Sequence, residues 1–241
     1  MQRRAIKKIL SSSMGLVMKK STIQPSLMAT TINNQYNFFS TSSIKLDNSS
    51  PNNKIRYNYS VECEKGVNEQ INLELYASYF YTALAAYFDQ PTVALPGVAG
   101  FFQAQSNEER RHANSLIRYQ NGRGGKVSFT SINTPPDFAA IFNQVATGPN
   151  GLNIATRGFE LAIDVERSVY DQITQLYQQA EMQRDFALTG YLQGLIDEQV
   201  KSLKELQEML TKSKRMVNDY WFDQLLASSS KVTEGGEAQT N

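Results

Sequence analysis

The sequence predicts an all-α chain: a four-helix bundle with one long crossover loop and a short fifth helix near the C-terminus. Three observations lead there. From Val61 onward, apolar residues recur at steps of three and four over long stretches. No stretch alternates apolar and polar residues as a half-buried strand would. Turn signals leave one long and two short links between the longest stretches, the connectivity of a bundle with a single crossover.

Each element has its own warrant. The first helix runs from Val61 to Asp89 and stops before Gln90-Pro91, because a residue preceding proline is pushed out of helical backbone. The second starts near Pro96, whose fixed φ suits a first turn, and ends at Asn121-Gly122. The "NGRGG" there is a helix stop and turn; no strand precedes it and no Lys-Ser/Thr follows, so it is not a phosphate loop. A long loop with Pro135-Pro136 and "TGPNG" crosses to a third helix, Leu152 to Ala180. The fourth runs from Gln183 to Lys214, and "DYWFDQLLA" forms the fifth. The bundle is expected over residues 47–226, followed by a polar tail over 227–241.

At 241 residues and 41% hydrophobic content, the chain can bury one sizeable core and need not divide into two. The formal charge of +1 hides an asymmetry. Residues 1–46 hold Arg3, Arg4, Lys7, Lys8, Lys19, Lys20 and Lys45 and no acid, which leaves 17 bases against 23 acids in the remainder. A mildly acidic body argues against nucleic acid as a partner and for attraction of cations. No apolar run is long enough to cross a bilayer. In "MQRRAIKKILSSSMGLVMKK" the apolar residues share one helical face while Arg3, Arg4, Lys7 and Lys8 lie off it. Basic, Ser-rich and acid-free, residues 1–46 have the composition of a mitochondrial transit peptide, the matrix being the expected location and the cytoplasm the alternative. The single cysteine, Cys63, has no intrachain partner and is read as a near-surface residue at a helix start.

The functional signal lies in the inner stripes. Helix one offers Val67, Ile71, Glu74, Ser78, Tyr81, Ala85 and Phe88; helix two offers Phe102, Gln105, Glu109, His112, Leu116 and Tyr119. Helix three gives Phe159, Ile163, Glu166, Tyr170, Ile173 and Tyr177, and helix four Leu188, Leu192, Leu195, Gln199, Leu203 and Leu206. Every stripe carries polar groups in the middle of an apolar run, at heights that face one another in a bundle. Glu74, Glu109 and Glu166 would share one core with no Lys or Arg on any stripe. Unpaired buried carboxylates are costly and repel each other, so they are either protonated or neutralised by bound cations. Grouping with His112, the only histidine, in a Glu-x-x-His spacing favours the cations. Tyr119, Tyr170, Tyr177 and the seven methionines are read as packing.

"QINLELYASYFY" (70–81), "QSNEERRHA" (105–113), "NGRGG" (121–125), "DVERSVYDQI" (164–173) and "DEQVKSLKEL" (197–206) together resemble a ferritin of the heavy-chain type, over about residues 55–225. The resemblance implies a ferroxidase that oxidises Fe(II) with O2 and stores Fe(III) as mineral inside a shell of 24 subunits, alone or with other ferritin subunits. It implies two irons per subunit, as substrate rather than retained cofactor. Glu74, Glu109 and His112 would hold the first; Glu109 would bridge to a second, held by Glu166, with Glu108 as a transient ligand. Gln199 would stand behind the ligands, and Tyr81 would hydrogen-bond a ligand carboxylate. A second Glu-x-x-His is impossible with one histidine, so the second ion is expected to be held by fewer, more exchangeable oxygen ligands.

Some positions depart from the family pattern. Arg111 and Asn114 stand where heavy chains carry acids beyond the centre, which puts mineral nucleation there in question. Thr189 and Leu192 stand where the family lines its three-fold pores with acids. The loop before helix three is longer and the link before "DYWFDQLL" shorter than in the heavy-chain pattern. Competing readings are a di-iron carboxylate oxidase of an organic substrate, which needs a retained metal pair, and a co-assembling ferritin subunit with poor mineral nucleation.

Overall fold

The computed structural model describes residues 55–145, 154–216 and 218–234. All lie within the compact unit Leu46–Asn241. Six helices and no strand occur among them: α1 (Val61–Phe88), α2 (Pro96–Gly122), α3 (Phe138–Val145), α4 (Ile154–Met182), α5 (Phe186–Arg215) and α6 (Asp219–Glu234). The expected transit segment, residues 1–46, lies outside the described residues.

Local chemistry sets the helix ends. Ser60 caps α1 by accepting the Cys63 N–H at 3.0 Å, and Glu62 and Glu64 in the first turn complement the helix dipole. Asp185 does the same for α5 through the Leu188 N–H, with Lys212, Lys214 and Arg215 in the last turn. Asp185 also takes both guanidinium nitrogens of Arg123 at 2.9 Å, which ties the turn after α2 to the start of α5. Gly124, at φ 72°, makes that turn, as expected of "NGRGG".

The α2 start has no cap of its own; its Val98 N–H is satisfied by Asp223 of α6 at 3.0 Å. Asp219 of α6 likewise accepts from Ile154 and Ala155 at the start of α4. One short helix thus supplies caps to two long ones. Contact is close: a Cβ on Gly97 would lie 2.2 Å from the Asp223 carbonyl oxygen. Phe102 and Phe159 pack near the N-terminal ends of α2 and α4, so these two helices run parallel, as a long crossover requires.

The bundle is filled in two halves. At one end Cys63, Val67, Ile71, Leu116, Ile173, Leu176, Leu188 and Leu192 form an aliphatic cluster. At the other, Phe80, Tyr81, Phe88, Phe102, Phe142, Phe159 and Phe222 are fully buried aromatics. The polar side chains expected at mid-height lie between the halves.

Several expectations need correction. The crossover was expected to be plain loop, yet it contains α3, capped by Asp137 through the Ala140 N–H. Phe138 and Phe142, one turn apart, insert against Phe80, Tyr87 and Phe88. The fifth helix extends to Glu234, into the stretch expected to be a polar tail. On α4 the buried line runs through Val169 and Leu176, with Tyr170 and Tyr177 only half-buried beside it. Cys63 is fully buried rather than near-surface, and Met182 is exposed rather than packed. Leu192 is fully buried in the aliphatic cluster and Thr189 is buried too, so within the chain neither lines an open surface. Arg111 and Asn114 are exposed.

Candidate metal centre

Glu74 on α1, Glu109 and His112 on α2, and Glu166 on α4 project from adjacent helices into the middle of the bundle. The three glutamates are at most 1% exposed. One ligand atom from each of Glu74, Glu109 and His112 lies within 4.8 Å of the other two. The group is close enough to be a candidate for one cation, which at about 2.1 Å from each ligand would draw neighbouring ligand atoms to roughly 3 to 4 Å of one another.

Each carboxylate has a dedicated partner. Gln70, one turn before Glu74, donates its Nε2 to Glu74 Oε1 at 2.7 Å. Tyr81 donates its hydroxyl to Glu166 Oε1 at 2.5 Å, and Gln199 of α5 donates to Glu166 Oε2. His112 faces Glu109 Oε2 through Nδ1 at 3.3 Å and Glu198 Oε2 through Nε2 at 3.2 Å. A carboxylate on one ring nitrogen fixes the tautomer that leaves the other free for a metal.

Electrostatics set these groups apart from the surface acids. Burial first, and the Glu109 charge second, holds Glu74 well above the usual carboxylate range. Burial and the charge of Glu166 push Glu109 up to about 8. Burial pushes Glu166 up to about 7, although the Tyr81 and Gln199 hydrogen bonds favour its ionised form. Burial and the Glu166 charge raise the Tyr81 phenol, which keeps it a donor. Among the described residues, no Lys or Arg forms an ion pair with Glu74, Glu109 or Glu166. A divalent cation would supply the missing positive charge.

Glu108 stands apart: its side chain is 36% exposed and lies 4.0 Å from Arg111. It lines a cavity of about 440 Å³ with Arg111, His112, Ser115, Arg118, Tyr191 and Glu198, which leads from the surface to the imidazole. Glu108 therefore shares a cavity with His112 and is not part of the buried cluster.

Sequence reasoning missed Gln70 and Glu198. Both carried a signal: Gln70 is four residues before Glu74 on the same face, and Glu198 adjoins Gln199. Residues that touch ligands rather than the ion do not stand out from packing or solvated polar groups in a stripe.

Fold and centre together define a class: an all-α carboxylate bundle with a candidate metal centre at mid-height between four long helices. The ferritin-like domain family matches residues 64–216. The soma ferritin of Lymnaea stagnalis is 39% identical over 73% of this chain and 96% of its own length. The ferritin heavy chain of Echinococcus granulosus is 37% identical over 76% of this chain and 98% of its own. A chloroplastic ferritin of Malus baccata var. xiaojinensis is 38% identical over 71% and 67%. The chain belongs to the ferritin family.

Proposed function

We propose that the protein is an iron-storage ferroxidase, oxidising Fe(II) with O2 at a di-iron centre within each subunit and depositing Fe(III) in an oligomeric shell, a 24-mer. The observation that carries this is the convergence of buried Glu74 and Glu109 with part-buried His112, with no Lys or Arg among the described residues paired to the carboxylates. These three hold the first ferrous ion. Glu109 bridges to a second, held by Glu166, and Glu108 passes ions in from the cavity. Two ferrous ions side by side each give up one electron, so one O2 receives two electrons in a single encounter. Tyr81 and Gln199 aim Glu166 and hold its two oxygens apart. With one imidazole in the chain, the second ion is held by oxygen ligands alone and exchanges, which suits iron as substrate rather than cofactor.

The test is oxygen uptake after Fe(II) addition to the full chain, with particle mass followed in parallel. His112→Ala and Glu109→Ala are expected to abolish rapid oxidation while the fold is retained. Unchanged kinetics in either variant refutes the assignment. The composition of residues 1–46 supports import into the mitochondrial matrix. A fluorescent fusion of that segment that stays cytosolic would refute import.

A further inference from the structure

Gln70 is completely buried, yet only one of its two polar side-chain atoms has a hydrogen-bond partner among the described residues. Its Nε2 donates to Glu74 Oε1 at 2.7 Å, and an amide oxygen in that place would be repelled by the carboxylate. Its own Oε1 has no partner among the described residues, and neither has Glu74 Oε2, although both atoms are sealed from solvent. A bare acceptor in a core is costly unless something brings a donor or positive charge to it. Glu74 Oε2 is the oxygen left for a cation, because Oε1 is engaged by the amide. The Gln70 oxygen sits one helical turn away on the same face, where a water carried by that cation can donate to it.

We propose that Gln70 is a positioning residue of the metal centre: its amide N–H fixes Glu74 as a one-oxygen ligand, and its amide oxygen accepts a hydrogen bond from a metal-bound water. This rests on the reading of Glu74, Glu109 and His112 as a metal site and adds how its geometry is imposed. A glutamine with a purely structural role would stabilise the bundle and leave metal binding untouched. A positioning glutamine changes metal binding as well, because its N–H orients Glu74 and its oxygen finds a donor only when the ion brings one.

The experiment titrates Co(II) into the full-length wild type and the variants Gln70→Leu and Gln70→Met, reading its visible absorption, which reports coordination number. Thermal melts of the metal-free proteins run alongside. Loss of the Gln70 N–H frees both Glu74 oxygens, so the bands should weaken as coordination number rises. Affinity should fall about 10–100-fold, the usual effect of removing a ligand's hydrogen-bond partner. The metal-free variants should still melt cooperatively, which shows that the change in Co(II) binding is not loss of fold. Wild-type spectrum and affinity in both variants would overturn the role of Gln70 and leave the metal centre standing. Absence in the wild type of a Co(II) band that His112→Ala abolishes would overturn the centre, and this inference with it.

Discussion

Removing metal should make this protein's stability fall as pH rises. Glu109 and Glu166 ionise near the ordinary 4.5 in the unfolded chain but near 8 and 7 in the bundle, where burial disfavours their charge. Between those values the unfolded state gives up protons that the folded state keeps, so folding stability declines with pH. The contribution is fully present below about pH 4.5 and is lost once pH passes about 8. At about 1.4 kcal/mol per tenfold change, the Glu109 displacement alone corresponds to roughly 5 kcal/mol. Glu166 raises Glu109 by its charge, so the two act as one joint quantity and do not simply add. The assay is chemical denaturation of metal-free full chain from about pH 5 to about pH 9, with and without redox-inert Zn(II). Zn(II) should remove most of the slope, because it neutralises the carboxylates that burial penalises. Asp219 is also raised by burial and contributes with the same sign. The triple variant Glu74→Gln, Glu109→Gln, Glu166→Gln isolates the centre, and its stability should be nearly flat over the upper half of the range. A wild-type stability that is level or rises with pH, or a slope indifferent to Zn(II), would refute the account of how these acids are tolerated.

Further expectations concern the groups around the ligands. Tyr81→Phe removes a donor from Glu166 Oε1 and should slow Fe(II) oxidation about 10–100-fold in oxygen-uptake assays, with secondary structure unchanged. Glu198→Gln weakens the hold on the far side of His112; Zn(II) affinity by calorimetry should drop about tenfold, whereas Glu208→Gln on the same helix should have no effect. Asp223→Ala uncaps α2 and should cost about 1–2 kcal/mol in denaturant unfolding. Gly97→Val, which drives side-chain atoms into the α6 backbone, should cost more.

The legible parts of the fold were those written in helical period. All seven positions of the α1 stripe, from Val67 to Phe88, are buried, because a long helix with one apolar face has a single way to settle into a bundle. On α4 apolar residues stand side by side at 169–170 and 176–177, and periodicity alone did not decide between neighbours one residue apart. Val169 and Leu176 are buried inside, and the larger, polar-tipped tyrosines are only half-buried. Helix α3 was hidden by its length, since eight residues between Pro135-Pro136 and "TGPNG" give too few turns for a period, and its stability comes from Phe138 and Phe142 meeting aromatics distant in sequence. The α6 caps were equally out of reach: nothing local tells that Asp223 satisfies a backbone donor 125 residues earlier.

The centre follows the same division, and its asymmetry bears on the proposed reaction. The candidate ligands were legible, because a carboxylate or imidazole inside an apolar stripe contradicts the pattern around it. What holds them was legible only in part: Tyr81 and Gln199 came with the family resemblance, whereas Gln70 and Glu198 look like ordinary polar positions until their partners are known. The first ion would meet Glu74 with one oxygen bare and His112 oriented from behind by Glu198, groups placed before any ion arrives. The second would meet Glu166, whose two oxygens already accept from Tyr81 and Gln199 and so share electron density with those donors. A site pre-set for one ion beside a site whose ligand is partly engaged binds the pair unequally. Unequal binding would order the filling: a ferrous ion waits at the pre-set site until a second completes the pair, each gives one electron to O2, and both would leave as Fe(III), which a storage enzyme needs and a protein keeping both metals would avoid.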